Sequence, residues 1–360
     1  MKIGLLTVYS FNYGSYFQAT SLLYKLKDMG HDCELINERF KEKQWTNLRL
    51  LYTFHSMIPQ PLRKMLGCLL PQYNTFLCLQ KDVIKLPQSP PRIKDMESLC
   101  ELYDCIVLGS DEVWSASPRS IRYTPEYFGY NVAKPHIAYA PCGSLFDLEN
   151  PDLRSRVADG IKSFQNIAVR DVYTQEMVKK TTGREACLVL DPTLLNPYFI
   201  KGTESHHGGY VLLYGSDYSE EQQSHIKRMA ARHNWQIVAL GWPHKWANRF
   251  CNPSTAEEFQ DIFEHAAYCV PSTFHGTIFS ILHKKQFVTM LSPLRGRKVT
   301  MLLQQLGLES RLWSQTCNME EEIDYSEVNQ LLENLRRKSE KYLEDALEAV
   351  SPENSMREEP

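Results

Sequence analysis

No stretch of this sequence approaches the ~20 consecutive apolar residues that a membrane-spanning helix needs. The apolar opening from Met1 to Val8 is too short for a secretory leader and reads as a first strand. The expected compartment is therefore the cytoplasm. A strong charge of either sign is also missing, since a net charge of −3 argues against a general nucleic-acid binder. The ten cysteines make no CxxC pair and no Cys/His cluster with zinc spacing. Several, such as Cys105 and Cys187, sit inside apolar runs as small core residues would. His206, His207, His244 and His283 have no partners at ligand spacing, so no metal is expected.

What remains is an ordinary globular composition, 43% hydrophobic and 23% charged, over 360 residues. That length suggests two domains. The most informative stretch runs from Tyr268 to Met290. A short apolar strand enters Pro271-Ser272-Thr273-Phe274-His275-Gly276-Thr277, a helix follows, and Phe287 to Met290 reads as a second strand. His275 thus falls at a strand-to-helix turn, where unpaired backbone N–H groups and the helix dipole favour an anion.

The same grammar recurs along the chain. Lys2–Val8 and Cys33–Asn37 read as strands of a first βαβ unit, and the segments Tyr103–Asp111, Ile137–Ser144, Asn166–Asp171 and Cys187–Thr193 each run from apolar residues into Ser, Asp, Gly or Arg at the carboxyl end. Parallel α/β sheets place their ligand loops at that end. Turn residues interrupt the pattern at Asn196–Gly209, and it restarts at Tyr210 and Gln236. The expected fold is α/β, with two Rossmann-like domains facing a cleft. Residues 1–200 form the first, with a helical insertion at about 41–95, and 208–322 form the second. A charged amphipathic helix closes the chain at 323–350, and 351–360 reads as a disordered tail. Basic and aromatic residues mix at 38–66. This stretch reads either as a helical insertion packed on the first domain, which weighs more, or as a peripheral contact with an anionic inner membrane surface.

Five pieces in order resemble the polysaccharide pyruvyl transferases. They are Asn12-Tyr13-Gly14-Ser15-Tyr16-Phe17-Gln18-Ala19, Gly109-Ser110-Asp111-Glu112-Val113-Trp114, Ile167-Ala168-Val169-Arg170, Val189-Leu190-Asp191-Pro192-Thr193, and Phe274-His275-Gly276-Thr277. The resemblance implies a fold similar to the B-type glycosyltransferases, with no cofactor beyond phosphoenolpyruvate as donor substrate. It implies a sugar of a surface polysaccharide, or its lipid-linked precursor, as acceptor, and a cyclic pyruvate ketal as product. The chain departs from the family at one place. Many members have Arg-Leu-His where Thr273-Phe274-His275 stands here, so the basic loop Arg295-Gly296-Arg297-Lys298 becomes a candidate source of the missing charge.

Site expectations follow from this resemblance. His275 is a candidate acid or phosphate ligand, because imidazole titrates near neutral pH. Asp111 is a candidate base for the sugar hydroxyl, or a turn former. Arg170, Phe274, Gly276, Thr277, Arg295 and Arg297 are expected on the donor. Arginine at the end of an apolar strand is unusual unless paired, and its planar fork suits a carboxylate or phosphate. Asn12, Tyr13, Gly14 and Trp114 are expected on the acceptor, Trp114 either stacking on a sugar face or filling the core. Asp191-Pro192-Thr193 reads as the turn between domains. Two other functions share the architecture: a sugar-nucleotide glycosyltransferase and a non-catalytic saccharide-binding relative.

Overall fold

Branched aliphatic runs give strands that are covered on both faces, the pattern of a parallel sheet between helices. All four residues of Cys105–Leu108 are buried, as are Val211 to Tyr214. The computed structural model describes residues 1–10, 12–36, 71–90, 93, 95–116, 124–201, 208–291 and 296–352. Most of the expected insertion, the basic stretch 38–66, His206, His207, Arg295 and the tail from 353 lie outside these residues.

The described strands form two sheets. The first contains β1 (Lys2–Leu6), β2 (Asp32–Leu35), β3 (Cys105–Leu108), β4 (His136–Tyr139), β5 (Ile167–Val169) and β6 (Cys187–Leu188), ordered β2-β1-β3-β4-β5-β6. The second contains β7 (Tyr210–Tyr214), β8 (Gln236–Leu240), β9 (Arg249–Cys251), β10 (Tyr268–Pro271) and β11 (Gln286–Phe287), ordered β11-β10-β7-β8-β9. Every pairing is parallel. Around the first sheet lie α1 (Tyr13–Asp28), α2 (Pro71–Val83), α3 (Met96–Cys100), α4 (Pro151–Lys162), α5 (Val172–Thr182) and α6 (Pro192–Leu195). With the second go α7 (Glu220–Arg232), α8 (Ala256–Glu264), α9 (Phe274–Leu282) and α10 (Gly296–Gln305), and α11 (Tyr325–Ala349) follows. No apolar run announces β9, whose three residues are largely exposed at a sheet edge.

Each sheet has one switch point, where successive connections leave in opposite directions. It lies between β1 and β3 in the first sheet and between β7 and β10 in the second. Open parallel sheets bind ligands outside the carboxyl ends of the strands at such points. The loops after β1 and β3 carry Asn12 and Asp111, and the helix that starts after β10 carries His275 in its first turn.

The sheets share one continuous apolar cluster. Tyr13 of α1 stacks on Phe259 of α8 at 4.3 Å, and Phe17 meets Phe279 of α9 edge-on at 5.5 Å. Such ring pairs contribute about 0.5–1.5 kcal/mol beyond area burial. The long helix α11 ties both ends together. Tyr325 at its start donates to Lys285 O at 2.5 Å, beside the second sheet. Further along, Ser339 Oγ accepts the Leu190 N–H at 2.9 Å and Tyr342 donates to Ala138 O at 3.1 Å, both on the first sheet.

Candidate active site

The histidine turn is built from local rules. Thr273 is extended and its hydroxyl accepts the Gly276 N–H at 3.1 Å, which starts α9. The residue that replaces the family arginine is therefore the helix cap. His275 follows in the first turn with its side chain 14% exposed. Its ring rests on Gly14 of α1, where a Cβ would meet Nδ1 at 2.5 Å. Only glycine leaves room for the imidazole there. Asn12 holds the start of α1 through a reciprocal cap with Ser15, at 2.9 and 3.0 Å.

Across from His275 stands Asp191, buried and 3.6 Å from Nε2. Its Oδ1 caps α6 by accepting the Thr193 N–H at 3.0 Å. Its Oδ2 receives Arg170 Nη1 at 2.7 Å. Asp191 thus links a guanidinium of the first sheet to an imidazole of the second. Arg170 sits at the end of β5 with its side chain 1% exposed. Nη1 also reaches Ser110 Oγ at 3.1 Å. Among the described residues, the buried Nε and Nη2 make no hydrogen bond, and neither does His275 Nε2. Asp111 and Glu112 stand near Nη2, at 3.9 and 4.0 Å. Asp111 has φ 81. That conformation costs a non-glycine residue about 1–3 kcal/mol, and Asp111 recovers part by accepting the Glu112 N–H at 2.8 Å.

Glu112 and Lys298 form the second link. Lys298 Nζ, from α10, lies 2.5 Å from Glu112 Oε1, and both side chains are 18% exposed. Ser144 donates to the same carboxylate at 2.8 Å, and Ser115 donates to Oε2. Phe274 lies between the cations, its ring 5.0 Å from the Arg170 guanidinium carbon and 5.2 Å from Lys298 Nζ. The negative ring face attracts both. Burial acts to raise the Glu112 carboxyl, but Lys298 and Arg170 outweigh it and hold the group well below the usual carboxylate range. Burial likewise opposes ionisation of Asp191, and His275 and Arg170 prevail. Burial would lower Lys298, yet Glu112 leaves it raised. The site is therefore a set of paired charges around buried Arg170 donors that make no hydrogen bond among the described residues.

The family model for polysaccharide pyruvyl transferase matches residues 12–292. The chain belongs to the polysaccharide pyruvyl transferase family. No curated protein matches it. Solved structures similar in fold include an alpha-glucosyltransferase in complex with UDP, at 10% identity and TM-score 0.46, covering 97% of this chain and 95% of that one. Arabidopsis thaliana UGT89C1 has 12% identity and TM-score 0.44 over 98% and 95%. The Streptomyces sp. SF2575 glycosyltransferase SsfS6, complexed with thymidine diphosphate, has 11% identity and TM-score 0.42 over 95% and 98%.

In this member of the pyruvyl transferase family, the structure brings together His275, Arg170, Phe274, Asp111 and Gly14 among the expected residues. It corrects others. Trp114 is 0% exposed, donates its indole N–H to Tyr127 O at 2.7 Å and stacks near Phe128. It is core and cannot offer a face to a sugar. Thr277 is buried, and its hydroxyl is shared between Thr273 O and Thr289 Oγ1. Its role is to join α9 to the following chain, not to reach a donor. Gly276 packs on Tyr214, where a Cβ would stand 2.7 Å from the ring. Tyr13 is buried, with its hydroxyl given to Pro253 O at 2.9 Å. Arg297 lies over the Tyr173 ring at 5.3 Å, and of the basic loop it is Lys298 that enters the charged cluster.

Two functional candidates were not foreseen from sequence, Asp191 and Glu112, nor was the pairing of Lys298 of the basic loop with Glu112. Asp191 carried a usable signal, being a carboxylate directly after an apolar strand, like Asp111. Its Pro192 neighbour made a turn the simpler reading. The Arg170 partner is Asp191 and not the adjacent Asp171, which caps α5 through Thr174 N at 2.8 Å. Among the described residues no Asp, Glu, His and Cys group is arranged to hold a metal. No described helix is long and apolar enough to cross a membrane.

Proposed function

We propose that this protein transfers the pyruvyl group of phosphoenolpyruvate to two hydroxyls of one sugar residue, in a surface polysaccharide or its lipid-linked precursor. The observation that carries this reading is buried Arg170, whose Nε and Nη2 make no hydrogen bond among the described residues, beside a histidine at a helix start. A planar pair of N–H donors suits a carboxylate. Lys298 and the N-terminus of α9 suit the phosphate. The donor carries both anions, and Lys298 supplies a cation in place of the arginine absent at Thr273.

The chemistry balances with the groups present. A sugar oxygen bonds to the enol carbon, and the donor's methylene carbon takes a proton from the His275 imidazolium. Asp191 holds and stabilises that imidazolium. Asp111 receives the hydroxyl proton and returns it through solvent to His275 after turnover, which restores both groups. The bond from the former enol carbon to phosphate oxygen breaks, and phosphate leaves. The second hydroxyl then bonds to the same carbon, and its proton leaves with the phosphate, closing the ketal. Proton transfer of this kind is worth about 10²–10⁴-fold.

Incubation with phosphoenolpyruvate and galactose- or mannose-type lipid-linked acceptors in D₂O tests the reading. Acceptor-dependent phosphate release and one deuteron in the product methyl group are expected. Intact donor across the acceptor panel overturns it.

A further inference from the structure

A cavity of about 60 Å³ opens beside the histidine turn. Its walls include the rings of Tyr13, Tyr214, Trp242 and Phe259. Two contacts join it to the site. Tyr214 lies against Gly276, and Asn12 sits beside Gly14, on which the imidazole rests. Trp242 belongs to the loop after β8 and is half-buried, packed edge-on against Tyr214 at 5.0 Å. It has no part in the charged cluster.

Polar groups on the side chains lining this cavity are few: those of Asn12 and Thr75, the Tyr13 and Tyr214 hydroxyls and the Trp242 indole N–H. Asn12 Oδ1 is committed to the Ser15 N–H at 2.9 Å, so the end of the amide left for a ligand is the Nδ2 donor. The Tyr13 hydroxyl is committed to Pro253 O, and Thr75 Oγ1 lies 3.5 Å from Asn252 Oδ1. Sugar hydroxyls placed here would leave donors unmatched, at about 1–3 kcal/mol for each buried unpaired group. A methyl group beside a carbonyl is the complementary shape. The methyl packs on aromatic rings, and the carbonyl oxygen accepts from Asn12 Nδ2. One water needs about 10–15 Å³ on the same measure. The cavity thus has room for roughly four or five non-hydrogen atoms, the size of an acetamido group.

We propose that this cavity receives an acetyl substituent of the acceptor, so that the acceptor is an acetylated sugar. The acceptor role rests on the pyruvyl-transfer reading, while seating of the acetyl group does not.

The test compares methyl glycosides of hexoses, hexosamines, N-acetylhexosamines and O-acetylated hexoses, in binding by calorimetry and in phosphate release from phosphoenolpyruvate. Acetylated glycosides should bind and react at least about tenfold better than their unacetylated partners, the discrimination an apolar pocket gives for one small group. The N- and O-acetyl arms identify which linkage is read. Trp242→Ala should remove most of this preference. Asn12→Asp should do so as well, because it keeps the cap oxygen and deletes the donor. Thermal melts establish that both variants fold. Equal binding of acetylated and unacetylated glycosides, or a preference untouched in both variants, overturns the proposal. A Trp242-dependent acetyl preference in binding without phosphate release would keep this cavity assignment and remove the pyruvyl-transfer reading. Phosphate release indifferent to acetylation would do the reverse.

Discussion

Replacing Gly14 by alanine puts a methyl group where the His275 ring now lies. The added carbon would stand 2.5 Å from Nδ1 and 2.7 Å from Cγ. Unstrained carbon contacts run about 3.5–4.0 Å, so ring or helix must yield by about 1 Å. The cap at Asn12 opposes movement of the helix, since its Oδ1 would be only 3.1 Å from the new carbon. Overpacking of this size costs about 1–3 kcal/mol. Alanine returns up to about 1 kcal/mol of helix propensity. Net destabilisation is then about 0–2 kcal/mol, from the difference of these terms. Proton transfer is far less tolerant, because a 1 Å misplacement can cost about 100-fold. The expected signature of Gly14→Ala is a kcat for acceptor-dependent phosphate release reduced about 100-fold, with a melting temperature changed by only a few degrees. NMR of the imidazole would report the displaced ring. A variant with wild-type kcat and unchanged His275 resonances would refute the reasoning.

Lys298→Met and Glu112→Gln should each destabilise, by less than the about 3–5 kcal/mol of a fully buried pair, because each leaves a half-buried charge without its nearest partner. The double variant should recover much of the loss, read by denaturant unfolding of all four proteins. Stability should also follow pH with a definite sign. The carboxyls of Glu112 and Asp191 are held below their ordinary values, against burial, by Lys298 and Arg170 and by His275 and Arg170 respectively. Their stabilisation is complete above the unfolded carboxylate value of about 4 and is lost as pH falls below it. Burial opposes the charge on Lys298 and Glu112 raises it, so its contribution is present below about 10.4 and lost as pH climbs past that value. Glu112→Gln should flatten the acid limb of the unfolding free energy measured between these limits. Trp114→Phe should cost about 1–3 kcal/mol, through a smaller core side chain and the lost indole N–H bond to Tyr127 O. The acceptor KM should not move, whereas a stacking role would raise it.

The central strands β3, β4 and β5 of the first sheet were legible because each is a short, fully buried apolar run, and burial on both faces demands that composition. The histidine turn was legible for the same reason, aided by Gly276 and by Thr273 as cap. What escaped was pairing across sequence distance. Glu112 and Lys298 are 186 residues apart, and neither has a neighbour in sequence that announces the other. Trp114 shows the opposite failure, since a tryptophan inside a recognised motif fits a sugar platform and a core plug equally well. Only the Tyr127 carbonyl and the Phe128 ring decide between them. The short strand β9 was illegible because an exposed edge requires no apolar signal.

The order in which this chain is made gives α11 a further significance. Leu190 meets its hydrogen-bond partner Ser339 149 residues later. At about 5–20 residues per second, a ribosome needs on the order of ten seconds to supply it. Through that interval the first sheet has all its strands but lacks the helix carrying Leu343, Ala346 and Leu347, which are buried in the finished protein. The nascent first half therefore shows an apolar strip to any chaperone near the exit tunnel. The last long helix to be synthesised is the one that withdraws it.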